Sequence, residues 1–203
     1  MAKTPDNDKL HQEAEHLRYE IMMFKAVSRR LAKKPNVDEA ADDEGKLIHN
    51  AILESFGIHF RVISEFLEKK KRTYDDDVLA SDYLPEGTST KTFIDDPKFE
   101  EYEKWINKRI AHLTYYRIDE WLDQKGWPII AMGDALRNAL LKFLAVARLD
   151  ILPGVKEECN ADWYQGLRPC GGNFTVVTTS TTIATHLDCN WSEEKKGKRD
   201  KLK

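Results

Sequence analysis

One segment of this chain lines up groups able to move a proton or hold an anion. Trp105, Arg109, His112 and Tyr116 recur at spacings of three and four. On an α-helix, at about 100° per residue, that spacing puts all four on one stripe. Arg109 offers charge-assisted hydrogen bonds to a phosphate. A guanidinium one turn away disfavours a charged imidazole, so His112 is expected to stay neutral and act as general base or acid. Tyr116 adds a phenolic hydroxyl. Asn107, Lys108 and Trp105 flank these groups with a carboxamide, an ammonium and an indole face, and are candidate binding residues. The expected chemistry is the binding of a phosphate and the movement of a proton. The stripe lies at the margin of an apolar face. It therefore also fits a histidine bonded to a neighbouring helix, beside an arginine that reaches to water.

Two more residues are assigned structural roles. Arg117 points the same way as Ile106, Ile110 and Leu113, and a part-buried guanidinium needs a carboxylate. Asp75, Asp76, Asp77 or Asp82 is expected to supply it, pinning the loop between two helices. His59 sits mid-face on its helix with Ser55 one turn away, and is expected to be a satisfied core histidine. Arg61 faces Glu54 and Glu65 as a surface ion-pair residue. Metal readings are weak. Glu13-x-x-His16 has di-iron spacing but lacks its second copy, and Cys159, Cys170, His186 and Cys189 are too irregularly spaced for zinc. No metal and no cofactor is expected.

Four helical segments must position these groups. The first runs from about Lys9 to Lys34, with Leu10, Ala14, Leu17, Ile21, Phe24, Val27 or Ser28, and Leu31 as its stripe. The second runs from about Glu44 to Lys70. It is apolar over most of its circumference, with Ile48, Ala51, Ile52, Ser55, His59, Val62, Ile63 and Phe66 as the expected face and Leu53, Phe60 and Leu67 widening it. Asn50, Glu54, Gly57, Arg61 and Glu65 form its polar strip. Thr73 to Asp95 is a long acidic connection. The third segment opens at Asp96-Pro97, a cap followed by a favoured first-turn residue, and runs to about Lys125. Its stripe is Phe99, Tyr102, Ile106, Ile110, Leu113 and Trp121. The fourth, Pro128 to Ala147, buries Ile129, Met132, Ala135, Leu136, Ala139, Leu140, Phe143 and Leu144.

The fold class that follows is all-α: a bundle of four main helices with a long acidic loop and an irregular C-terminal extension that could hold a short strand. The expected organisation is a helical domain over 1–154, an irregular extension over 155–191 and a disordered basic tail over 192–203. Within the extension, Phe174 to Ile183 is rich in Thr and Val. The last twelve residues carry six Lys or Arg against three Asp or Glu.

Composition narrows the function. The chain has 203 residues and a formal net charge of −3, which gives no global attraction to nucleic acid or to an anionic membrane. The polar N-terminus lacks an apolar signal core, and no apolar run approaches the roughly 20 residues a bilayer requires. Three cysteines leave one over in any pairing, which suits a reducing compartment. A cytoplasmic protein with no membrane partner is expected.

Three blocks carry a family likeness. Ile52 to Phe66, Asp76 to Leu84, and Asn107 to Thr114 resemble blocks of uncharacterised bacterial helical proteins of the HEPN type. The likeness spans about Lys46 to Leu122. It implies a helical bundle, pairing into a homodimer, and metal-independent RNA cleavage by an Arg followed four to six residues later by a His. This chain departs from that motif, because only Ile110 and Ala111 separate Arg109 from His112, and no His follows Arg137-Asn138. The alternative function is a non-catalytic helical interaction or dimerisation domain.

Overall fold

A computed structural model describes residues 6–33, 42–88, 93–111 and 127–167. The chain divides into two compact units, Met1–Arg168 and Pro169–Lys203. All described residues belong to the first, so the expected strand and basic tail lie outside them. The described residues are mostly helical and contain no strand.

Helix α1, Asn7–Lys33, buries Leu10, Ala14, Leu17, Ile21, Phe24, Ser28 and Leu31. This is the stripe its period predicts, with Ser28 rather than Val27 at the ambiguous place. The Ser28 hydroxyl, fully buried, donates to the Lys25 carbonyl at 3.1 Å. That local bond satisfies a polar group which would otherwise cost stability in a core.

Helix α2, Asp43–Glu68, is capped by Asp42, whose carboxylate accepts from the Gly45 N–H at 2.8 Å. Its buried residues are Phe56, Gly57, Phe60, Ile63, Ser64, Phe66 and Leu67. The expected face is therefore rotated. Ile63 and Phe66 are buried as expected, but Ile48, Ala51 and Val62 face solvent, and Gly57 of the expected polar strip is interior. The cause is visible in the aromatic contacts. Phe56 and Phe60 pack on Phe24, Phe60 stacks on Phe99 with centroids 5.1 Å apart, and Phe66 meets Phe143 edge-to-face at 5.4 Å. A helix apolar nearly all round offers two candidate faces, and its largest rings settle which goes inside.

The connection that follows is pinned by Arg72. Its Nη2 donates to Asp82 Oδ1 at 2.7 Å and its Nε to the Asp77 carbonyl at 2.8 Å. Asp77 accepts from the N–H groups of Thr73 and Tyr74, and Asp82 from that of Leu79. These backbone donors, Tyr74's first, hold the Asp77 carboxyl below its usual range. A 3₁₀ turn, Ala80–Tyr83, then enters the core. There the Tyr83 hydroxyl donates to the Leu10 carbonyl at 3.0 Å, and the Tyr83 carbonyl accepts from the Arg148 N–H at 2.8 Å. Asp77 and Asp82 thus have partners other than Arg117, which lies outside the described residues.

Helix α3, Phe99–Ile106, buries Phe99, Tyr102 and Ile106. Asp96 starts it, its carboxylate accepting from the Lys98 N–H at 2.8 Å and its carbonyl from the Phe99 N–H. One π-helical turn, Asn107–Ala111, continues it. Helix α4, Ile129–Leu144, buries all eight residues its period marks, and Gly133 besides.

The core does not stop at the turn formed by Pro153 and Gly154. A short helix α5, Val155–Asn160, packs back on α1 and α4. Val155, Cys159, Trp163 and Tyr164 are all fully buried. Arg137 of α4 caps the end of α5, donating to the carbonyls of Cys159, Asn160 and Ala161. Arg29 of α1 donates to the Trp163 carbonyl at 2.6 Å, and Lys25 pairs with Glu158 at 3.0 Å. Residues 155–167 therefore belong to the helical body.

Candidate functional site

The segment proposed to carry chemistry is only partly within the described residues. Trp105 and Asn107 are half-buried and Lys108 is exposed. Arg109 lies in the π turn, where its backbone is described and its side chain is not. His112, Tyr116 and Arg117 lie outside the described residues.

The π turn changes the geometry on which the stripe rests. It closes i→i+5 rather than i→i+4 bonds, so it holds more residues than an α turn. Positions counted at about 100° per residue keep their register only up to Asn107. The turn is seated against α2. A Cβ built on Gly57 would collide with the Ile110 side chain and lie 3.4 Å from Ile106 Cγ2. Glycine at 57 thus leaves the notch that Ile110 fills. A π turn of this kind is common at functional sites.

Below it, α2 and α3 bring two carboxylates together. Glu68 is pushed up to about 7 by partial burial and by the neighbouring Glu103 carboxylate, with which it shares a hydrogen bond. The pair takes up a proton near neutral pH.

A second arrangement lies on the outer side of the α1–α2 hairpin. His59 Nδ1 stands 2.6 Å from Glu20 Oε2. A carboxylate only accepts, so Nδ1 carries the proton and Nε2 is the ring's remaining polar atom. Tyr19 meets the imidazole edge-on at 6.3 Å. His59 is therefore satisfied, as expected, but by a charged partner in a half-buried seam rather than in the core.

The hairpin also exposes several large apolar side chains. Tyr19 and Met22 of α1 and Leu47, Ile48, Ile58 and Val62 of α2 are all exposed, Ile58 to 55% and Leu47 to 68%. Scattered exposed leucines are ordinary, whereas a contiguous apolar stripe is not. No family model, curated protein or solved structure matches this chain. What the chain does must therefore be argued from its own surface.

Among the described residues, no group of three or more His, Cys, Asp or Glu side chains converges as metal ligands do. None of the described helices is long and apolar enough to cross a membrane. Cys159 is buried, and desolvation pushes its thiol up to about 12, which suppresses the reactive thiolate. Sequence reasoning missed Glu20 and the exposed stripe. The signal for the stripe was present: Ile48, Ala51, Ser55, Ile58 and Val62 recur at helical spacing beside a second series, Phe56, Phe60, Ile63 and Leu67. One helix carried two apolar series, and only one of them is buried.

Proposed function

We propose that this chain is a helical interaction domain that works through the outer face of the α1–α2 hairpin. The observation that carries the reading is the series of exposed apolar side chains on α2, Leu47, Ile48, Ile58 and Val62. An exposed stripe of this kind costs solubility unless something covers it. The stripe also explains why α2 is apolar nearly all round: one face serves the core and the other a partner. The likeness of about Lys46 to Leu122 to HEPN-type proteins supports a HEPN-like four-helix bundle as the scaffold, and the polar N-terminus and three cysteines support a cytoplasmic setting.

Lysine placed on this face tests the reading. Ile58→Lys, melted at low protein concentration, should move the midpoint by no more than about 0.5 kcal/mol, the scale of a surface change. A loss of about 2–5 kcal/mol, the scale of a core truncation, would place Ile58 inside the protein's own fold and end the proposal.

A second reading has one observation in its favour. Arg109 sits in a π turn, beside Lys108 and Asn107. In this reading that turn binds RNA or a nucleotide, Arg109 holds a phosphate, and His112 and Tyr116 supply proton transfer. Binding of single-stranded and hairpin RNA at low salt, with Arg109→Ala as the comparison, tests it. Equal RNA affinity of wild type and variant would discard it.

A further inference from the structure

The α1–α2 seam holds an imidazole in one tautomer with a nitrogen to spare. Glu20 Oε2 lies 2.6 Å from His59 Nδ1, so the Nδ1 proton is committed and the Nε2 lone pair is not. The two side chains are only 12% and 24% exposed, His59 the lower. Partial burial shields their hydrogen bond from water and strengthens it. Tyr19 bounds the ring on another side, edge-on with centroids 6.3 Å apart. Nε2 itself is not sealed. Among the described residues that are not exposed, Arg148 Nε is the only side-chain nitrogen or oxygen both cut off from solvent and unbonded. Nε2 has no partner there either, so it opens to solvent.

Two common uses of such a nitrogen do not fit the surroundings. A protein-built metal site needs further ligands, and no group of three or more His, Cys, Asp or Glu side chains converges among the described residues. A general base needs a hydroxyl to activate. Ser55, one turn earlier on α2, and Tyr19 are the nearby hydroxyls, and among the described residues neither bonds to the ring. The imidazole is left as the nucleophile, a role that histidine takes in covalent catalysis. A carboxylate behind the ring orients it and raises its basicity.

We propose that His59 Nε2 accepts a phosphoryl group from a small phosphoramidate. The Nε2 lone pair forms the new N–P bond. The donor's own P–N bond breaks, and its electron pair leaves on a nitrogen that is already protonated, so a neutral amine departs. No proton moves on the protein. Nδ1 keeps its proton, the ring gains a positive charge, and the Glu20 carboxylate opposes that charge. Glu20 is therefore a positioning residue that also stabilises the product. One P–N bond replaces another, which keeps the exchange near balance. The protonated nitrogen of the donor offsets part of the phosphoryl charge, so Glu20 repels it less than it would a dianionic phosphate ester. The low exposure of the ring requires the donor to be small.

Potassium phosphoramidate, added to the full chain at neutral pH, tests this. Peptides kept alkaline preserve the N–P bond for mass spectrometry. His11 and His16 of α1 are exposed and serve as internal references. His59 should be labelled about ten-fold faster than either, the scale on which a carboxylate behind an imidazole is felt, although it is less exposed than both. Glu20→Gln should remove that advantage and leave the labelling of His11 and His16 unchanged, with circular dichroism checking that the helix content is kept. Nitrogen NMR of the ring should place the proton on Nδ1 before labelling and the phosphoryl group on Nε2 after it. Labelling of His59 no faster than that of His11 and His16 overturns the proposal. A proton on Nε2 in the unlabelled chain, or a Glu20→Gln chain labelled at His59 at the wild-type rate, does so too.

Discussion

Gly133→Ala exchanges a known gain for a larger loss. Gly133 lies in the first half of α4, and Tyr164 crosses directly over it. A Cβ at 133 would collide with the Tyr164 hydroxyl and lie 2.6 Å from Cζ and 2.9 Å from Cε2. Tyr164 is fully buried, and its hydroxyl donates to the Ile129 carbonyl at 3.3 Å. The obstacle is a rigid ring, not the tip of a flexible chain. Alanine improves helix propensity by about 1 kcal/mol. Against this stand overpacking, about 1–3 kcal/mol, and loss of the tyrosine hydrogen bond, about 1 kcal/mol. The net expectation is about 1–3 kcal/mol of destabilisation. For a chain of this size each kcal/mol lowers the melting midpoint by roughly 2–4 °C. Thermal melts of wild type, Gly133→Ala, Tyr164→Leu and the double variant measure it. In the double variant the collision is gone, so the two losses should sum to more than the observed total. A Gly133→Ala chain as stable as wild type, or more so, would refute the close crossing of α4 by Tyr164.

The remaining expectations follow from particular contacts. Arg72→Met removes the cation that gathers Asp82 and the Asp77 carbonyl. The pair is largely buried, at 20% and 9% side-chain exposure, so the loss should be about 1–3 kcal/mol, below the full cost of stranding a buried charge. Limited proteolysis should then cut between Thr73 and Leu84, and an unchanged digestion pattern would refute the role of Arg72. The raised carboxyl of Glu68 makes stability depend on pH. The folded state holds the proton more tightly, so this contribution is fully present below the ordinary value of 4.5 and lost as pH rises through about 7. Glu68→Gln should flatten the melting midpoint between about pH 5 and about pH 8, and an equally steep profile in the variant would count against the Glu68–Glu103 pair. Cys159, buried and with a raised thiol, should react with a thiol reagent only on the timescale of unfolding, as mass spectrometry of its tryptic peptide would show. Rapid labelling of the native chain at that peptide would contradict the packing of α5.

How much could be read from sequence varied with how many faces each helix offers. Helices α1 and α4 carry one apolar series each, and their buried residues were legible almost to the residue. Helix α2 carries two. Periodicity alone could not rank them, because the decision depends on rings contributed by α1, α3 and α4, far away in sequence. Helix-face counting points to Arg117, which lies outside the described residues, whereas Arg72, next to the loop, reaches Asp82 through a local turn that no periodicity encodes. Residues 155–167 look irregular because Pro153 and Gly154 interrupt the pattern. Val155, Cys159 and Trp163 nonetheless keep spacings of four, and that short series was the available clue. The candidate chemistry lies mostly outside the described residues, and the π turn at Asn107–Ala111 is a feature that composition and spacing do not reveal.

The contacts joining the two ends of this body have a consequence during synthesis. Phe24 packs on Trp163 and Arg29 holds the Trp163 carbonyl, so part of the first helix is completed by almost the last segment of the body. At about 5–20 residues per second on the ribosome, the finished α1–α2 hairpin waits on the order of 5–20 s for that segment. At the start of that wait, before α3 and α4 are made, the hairpin displays both its future core and its exposed apolar side chains. Nascent chains emerging side by side from one message would meet in this state, each offering an apolar helical surface to the next.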